Sequence, residues 1–158
     1  GHRRVAFLGG RADLESARLR EQGYRTALAR AGIPVDPGLV ANGGYRRGTA
    51  RTPATVLLTG PDRPTAIFAA NDLSALGVMD AAADLGLAIP GDLSVVGFDN
   101  VPESALTTPP LTTVDQPIQQ MGSEATSLLI RLLEGRTGET THVRLPTVLV
   151  ERGSTRAL

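Results

Sequence analysis

A doubly wound α/β fold on a mostly parallel sheet is predicted for this 158-residue chain by three features of its sequence. Apolar runs of strand length alternate with longer stretches of helical period, the pattern left by consecutive βαβ units. Glycine and proline punctuate the junctions between them. Three of the strand-like runs end in chemically specific residues, Gly9-Gly10, Asn71-Asp72 and Asp99-Asn100. That is the end at which open α/β sheets bind ligands. The length suits one compact domain with its own core and is short for two.

The elements follow in order. Val5-Ala6-Phe7-Leu8 reads as a short buried strand ending at Gly9-Gly10, and Asp13 is placed to cap a helix running to about Ala31, where Gly32 and Pro34 stop it. A weak strand over 39–41 leads through Asn42-Gly43-Gly44 into a second helical stretch, which Pro53 is expected to shorten or kink. Residues 65–70 form the next strand and 72–85 the next helix, with Gly86 at its end. A strand over 93–97 precedes a loop over 101–110 with room for one helical turn, and 111–114 is extended again. The stretch 117–134 is strongly amphipathic, with Pro117 suited to a first turn and Gly135 to a stop. The tail over 143–150 is extended and broken by Pro146. There is no internal repeat and no low-complexity segment.

Composition removes whole classes of function. Hydrophobic residues make up 41% and charged residues 20%, as in a soluble globular domain, and sixteen basic and sixteen acidic residues cancel. Every basic residue is arginine, and the longest basic runs are Arg3-Arg4 and Arg46-Arg47. Nucleic-acid binding needs a clustered basic footprint, so this segment is not expected to bind DNA by itself. Without cysteine there is no disulfide, thiolate metal site or cysteine nucleophile, and without lysine no Schiff base and no P-loop. No stretch approaches membrane-spanning length and residues 1–4 do not open a signal peptide, so a cytoplasmic location is the default. His2 and His142 stand at opposite ends, and neither HExxH nor GxSxG occurs. An enzyme using Asp72 or Asp99 and a metal held by that pair are both weakly supported. No cofactor is expected, and Gly9-Gly10 lacks the full dinucleotide spacing, which leaves it a tight turn.

Two polar features stand out. Asn71, Asp72 and Asp99, delivered to one sheet edge, can form a hydrogen-bonding site, or Asn71 and Asp72 can cap their helix and Asp99 make a turn. Arg20 is sharper. At about 100° per residue it shares a sector of the first helix with Ala17, Tyr24, Ala27, Leu28 and Ala31, whereas Arg18, Arg25 and Arg30 fall outside it. An arginine on a core-facing stripe needs a partner or a wet cleft. The choices are an ion pair, with Glu21 or Asp99, and a ligand.

These residues lie in segments that resemble a known family. Residues 1–10 look like the start of the C-terminal lobe of LacI/GalR-type transcriptional regulators, and Ser16-Ala17-Arg18-Leu19-Arg20-Glu21-Gln22-Gly23-Tyr24 is similar to a helix of that family. The same holds for 64–72 with Ala75-Leu76-Gly77, for 89–100, for Pro109-Pro110-Leu111-Thr112-Thr113-Val114 with Gln116 and Met121-Gly122, and for Arg152-Gly153-Ser154-Thr155. The resemblance runs through the whole chain in order. It implies a periplasmic-binding-protein-like (type I) fold, two α/β lobes with an effector in the cleft between them, and carries effector-contacting roles to Arg20, Asn71, Asp99 and Gln116. Tyr45 matches a position where an aromatic ring faces the ligand, although 45–48 and Pro53 depart from the family pattern.

Such a site suits a sugar or related metabolite, and its closure would switch the DNA affinity of a repressor. The resemblance further implies that 1–114 are the C-terminal lobe, 115–145 a helix of the N-terminal lobe and 146–158 a returning strand and tail. The helix-turn-helix that contacts operator DNA, and the first part of the N-terminal lobe, are absent from this segment. The helix over 72–85 and the loop near Thr107 match the family's dimer surface, implying a homodimer. The alternative is a solute-binding protein of a sugar ABC transporter, which an upstream signal peptide in place of a helix-turn-helix would reveal. Ile118, Met121, Ala125, Leu128, Leu129, Leu132 and Leu133 form an apolar stripe expected to fold onto its own lobe, meet a second copy or be disordered.

Overall fold

In the computed structural model, which describes residues 1–136 and 142–158, strands and helices alternate as the apolar pattern requires. The strands are β1 (Val5–Gly9), β2 (Val40–Asn42), β3 (Ala66–Ala69), β4 (Ser94–Asp99), β5 (Thr112–Asp115) and β6 (Val148–Val150). They form one sheet in the order β2-β1-β3-β4-β5-β6. Pairing is parallel from β2 through β5, and β6 runs antiparallel to β5. The helices are α1 (Glu15–Arg30), α2 (Arg47–Thr59), α3 (Asp72–Asp84), α4 (Pro102–Ala105) and α5 (Ile118–Leu133).

The alternation within each strand sorts side chains onto two faces. Ala6, Leu8, Ile67, Ala69 and Val95 pack beneath α2 and α3, joined by Leu57, Leu58 and Val78. Phe7 and the half-buried Phe68 face the other way, against Tyr24 and Leu28 of α1. Each fully buried large side chain contributes about 1.5–3 kcal/mol, so the α2/α3 face supplies most of the core. In α1 the buried positions are Ala17, Tyr24 and Leu28, while Ala27 and Ala31, expected on the same stripe, are exposed. The stripe is thus narrower than its apolar composition suggests.

Two expectations about helices are corrected. Asp13 does not cap α1: Leu14 holds the N-cap position without a side-chain bond, and the Asp13 carboxylate accepts from Arg11 Nη2 at 2.6 Å. Pro53 does not shorten α2, which runs unbroken from Arg47 to Thr59. Burial of Ala50, Ala54, Leu57 and Leu58 outweighs the helical hydrogen bond that a proline nitrogen cannot make, a loss of about 3 kcal/mol. Arg47 pairs with Asp80, and Arg51 with Asp84, so α2 is also tied to α3 through exposed ion pairs of small value.

Helix α5 forms as expected, but its stripe does not fold onto the rest of the chain. No α5 residue is buried, and Ile118, Met121, Leu129, Leu132 and Leu133 are exposed. Leu128 and Met121 line a groove toward Val143 and Leu145. Part of the 115–145 segment, residues 137–141, lies outside the described residues. Among the described residues no helix is long and apolar enough to cross a membrane.

Candidate functional site

Parallel pairing brings the carboxyl ends of β1, β3, β4 and β5 to a common edge. The register places Asp99 beside Asp115, so Gln116, the next residue along, stands against the Asp99 side chain. Gln116 Nε2 donates to Asp99 Oδ1 at 2.6 Å. From α1, Arg20 reaches the same edge: its Nη1 donates to the carbonyl of Ala70 at 2.7 Å and its Nη2 lies 3.4 Å from Asp99 Oδ1. The guanidinium carbon sits 4.0 Å from the centroid of the Phe98 ring, a cation–π contact that sets its plane. Arg20 and Asp99 keep only 13% and 18% side-chain exposure, so their attraction is little screened.

The alternatives for Arg20 therefore resolve into one arrangement. Its ion-pair partner is Asp99, while Glu21 binds Arg25 on the outer face of the helix. Arg18 likewise pairs with Glu15, in solvent. Both contacts to Asp99 fall on Oδ1, and Oδ2 accepts none among the described residues. Burial raises the Asp99 carboxyl above the usual range. Arg20 pulls it down, the nearby Asp72 charge pushes it up, and Gln116 pulls it down. A groove of about 410 Å³, lined by Leu19, Arg20, Gly23, Phe68, Phe98 and Gln116, opens beside this trio. That volume lies within the range of small-molecule sites, and a forked donor beside a carboxylate and an amide matches paired hydroxyls.

Asn71 and Tyr45 are placed differently. Asn71 is buried and caps α3: its Oδ1 accepts from Ser74 N at 2.9 Å, and its Nδ2 donates to the carbonyl of Tyr45 at 3.2 Å. Tyr45 has φ 63°, its ring seats on Gly10, where any Cβ would collide with it, and its hydroxyl is buried without a partner among the described residues. The ring centroid lies 5.9 Å from the Arg20 guanidinium. The structure thus places Arg20 and Gln116 on this groove and Asp99 against both of them, lining a neighbouring cleft with Asn100, Asp115 and Gln116, with the Asn71–Tyr45 pair on the other side of Arg20. Asp72 is fully buried; its Oδ2 accepts from the backbone N–H of Val101 and its Oδ1 from the Thr113 hydroxyl, and burial raises its carboxyl above the usual range while these donors pull it down.

Three contributors escape a reading of the sequence. Phe98 carries the cation–π contact, though only its place before Asp99 hinted at a role. Arg152 donates from Nη2 to Asn100 Oδ1 at 2.7 Å and from Nη1 to the carbonyl of Leu111 at 2.8 Å. Thr113, on an inward position of β5, donates its hydroxyl to Asp72 Oδ1 at 2.5 Å. The motif at 152–155 was the one available signal for Arg152.

A mostly parallel sheet with an Arg–Asp–Gln trio at its carboxyl edge is the architecture of a periplasmic-binding-protein-like α/β lobe. The chain belongs to the periplasmic binding protein-like domain family, which matches residues 1–155. It is 39% identical to the HTH-type transcriptional repressor CytR of Escherichia coli (strain K12), over 100% of this chain and 46% of that protein. Among solved structures it resembles the transcriptional regulator CelR–cellobiose complex, with 37% identity, a TM-score of 0.92, and coverage of 98% of this chain and 47% of that one. It also resembles the lac repressor dimer bound to operator and the anti-inducer ONPF, with 34% identity, a TM-score of 0.89, and coverage of 99% and 54%. The resemblance to LacI-family regulators is borne out, and these relatives are not enzymes. The chain spans about half the length of the curated relatives it matches.

Proposed function

We propose that this chain is the effector-sensing part of a LacI-type repressor, and that Arg20, Asp99 and Gln116 hold a sugar or related metabolite, with Asn71 and Tyr45 bracing them. The observation that carries the reading is the Arg20–Asp99–Gln116 cluster, in which Arg20 and Gln116 line one open groove, Asp99 and Gln116 line the next, and Asp99 Oδ2 is uncommitted among the described residues. A carboxylate raised by burial and only partly neutralised gains by accepting a ligand hydroxyl. Its structural relatives, a transcriptional regulator in complex with cellobiose and an operator-bound repressor, favour a regulator over a transporter's solute-binding protein.

On this reading 1–114 form one lobe and 115–145 belong to a second, with 146–158 returning. The apolar stripe of α5 supports that division, since Ile118, Met121, Leu129, Leu132 and Leu133 stay exposed and no residue of the helix is buried. Operator DNA is read outside these residues, which lack a basic cluster. Ligand closure shifts the equilibrium between DNA-bound and released states. A homodimer forms through the outer face of α3 and the loop at Thr107, where Met79 and Leu106 line a shared groove. The protein is cytoplasmic.

A thermal-shift screen with pentoses, hexoses, disaccharides and nucleobases tests this. At least one is expected to raise Tm, and Asp99→Ala to abolish the rise. A rise that survives in Asp99→Ala, or no rise with any of them, would count against the assignment.

A further inference from the structure

A buried carboxylate with no cation beside it is costly unless donors saturate it. Among the described residues Asp72 is such a group. It is fully buried, its Oδ2 accepts from the backbone N–H of Val101 at 2.8 Å, and its Oδ1 accepts from Thr113 at 2.5 Å. Burial raises its carboxyl above the usual range, and Thr113 with the backbone N–H groups of Val101, Asn100 and Phe98 pulls it back down. The backbone donors come from one turn, 98–101, in which Asp99 has φ 114° and Asn100 φ 57°, both positive for residues with a Cβ. Such a backbone persists only where its surroundings hold it.

We propose that Asp72 is the positioning residue of the effector site: its carboxylate fills the concavity of N–H groups in the 98–101 turn and so aims Asp99 at Arg20 and Gln116. Consecutive backbone N–H groups in a tight turn form an anion-binding nest, and only an acceptor-only side chain satisfies several of them at once. The fit is close, since a Cβ on Gly97 would collide with Asp72 Oδ1. The turn held in this way presents Asp99 Oδ1 to Gln116 Nε2 at 2.6 Å. It also presents Asn100, whose Nδ2 donates to Asp115 at 3.0 Å and whose Oδ1 accepts from Arg152 at 2.7 Å. Capping of α3 does not explain the carboxylate. Asn71 already takes the Ser74 N–H, and an exposed acid in the first turn would serve the helix dipole as well.

The proposal rests on the effector reading for its consequence, but its test uses the ligand-free protein, so the two fail separately. The readouts are the 1H–15N signals of the Val101 amide and the Gln116 side-chain amide. Asp72→Asn leaves a single acceptor where the turn needs several, and Gly97→Ala displaces the carboxylate without altering it. Both are expected to move the Gln116 signal toward that of a solvated amide. Thr113→Val removes the β5 partner of Asp72 and lowers Tm, but is expected to leave the Gln116 signal in place. A Gln116 signal unmoved in Asp72→Asn and Gly97→Ala, or moved equally by Thr113→Val, would overturn the proposal. If Asp72→Asn does not fold, Gly97→Ala read against Thr113→Val decides alone.

Discussion

Replacing Arg20 by methionine separates the charge of that side chain from its bulk. Methionine keeps an apolar stem over Phe98 but leaves the Asp99 carboxylate without its cation and the Ala70 carbonyl without its donor. Removing one member of a fully buried pair costs about 3–5 kcal/mol. With 13% and 18% exposure and a separation of 3.4 Å, this pair belongs below that range, at about 2 kcal/mol. The carbonyl left without its donor adds about 1 kcal/mol. A loss of about 3 kcal/mol lowers the Tm of a domain this size by about 6–12 °C.

The pH dependence has a definite sign. Burial already raises the Asp99 carboxyl in the folded state, and without Arg20 it rises further. An acid with a folded value above its unfolded one destabilises the fold at neutral pH and ceases to do so on acidification. The Arg20→Met deficit, read by differential scanning calorimetry, is therefore largest at about pH 7 and shrinks toward about pH 4.5. Adding Asp99→Asn removes the stranded charge and is expected to recover about 2 kcal/mol at about pH 7. A deficit independent of pH, with no recovery in the double variant, would refute the reasoning.

Other perturbations probe the frame. Arg152→Met leaves Asn100 Oδ1 and the Leu111 carbonyl without donors, and its midpoint in urea is expected to fall by the equivalent of about 2–3 kcal/mol at unchanged slope; an unshifted midpoint would remove Arg152 from the frame. Pro53→Ala restores a helical N–H toward Thr49 and is expected to raise stability by about 1–2 kcal/mol, less than the full proline penalty because the unfolded chain also loosens. The apolar stripe of α5 is expected to drive self-association of this chain, with a smaller apparent mass by light scattering in Leu129→Glu/Leu132→Glu. A monomeric parent whose α5 amides resist hydrogen exchange would contradict that.

The frame was legible because it rests on local pattern. The βαβ alternation, the glycines at 9–10 and 86, and the polar residues at the ends of the strands follow from period and punctuation, and they bring out Arg20 and Asp99, whereas Gln116 is implied only by the resemblance to LacI/GalR-type regulators. What the sequence concealed depends on partners remote along the chain. Arg152 meets Asn100 across 52 residues, and Thr113 meets Asp72 across 41. Asp13 looked like a cap, but Arg11 two residues away competes for its carboxylate. Pro53 is tolerated because the face of α2 packed under α3 outweighs one absent bond, a balance that propensity alone does not contain. Asn71 and Tyr45 carry the residue types of a ligand site, yet capping and ring packing already occupy them.

The central claim is that a small effector is held at the carboxyl edge of the sheet by Arg20, Asp99 and Gln116. Its most direct test is 1H–15N mapping during titration with the saccharide or nucleobase that raises Tm most. The account predicts saturable changes at the Arg20 Nε–H, the Gln116 side-chain amide and the 98–101 turn, all lost in Asp99→Ala. Changes confined to the α3 groove at Met79 and Leu106, or to α5, with the Arg20 and Gln116 signals unmoved, would contradict it.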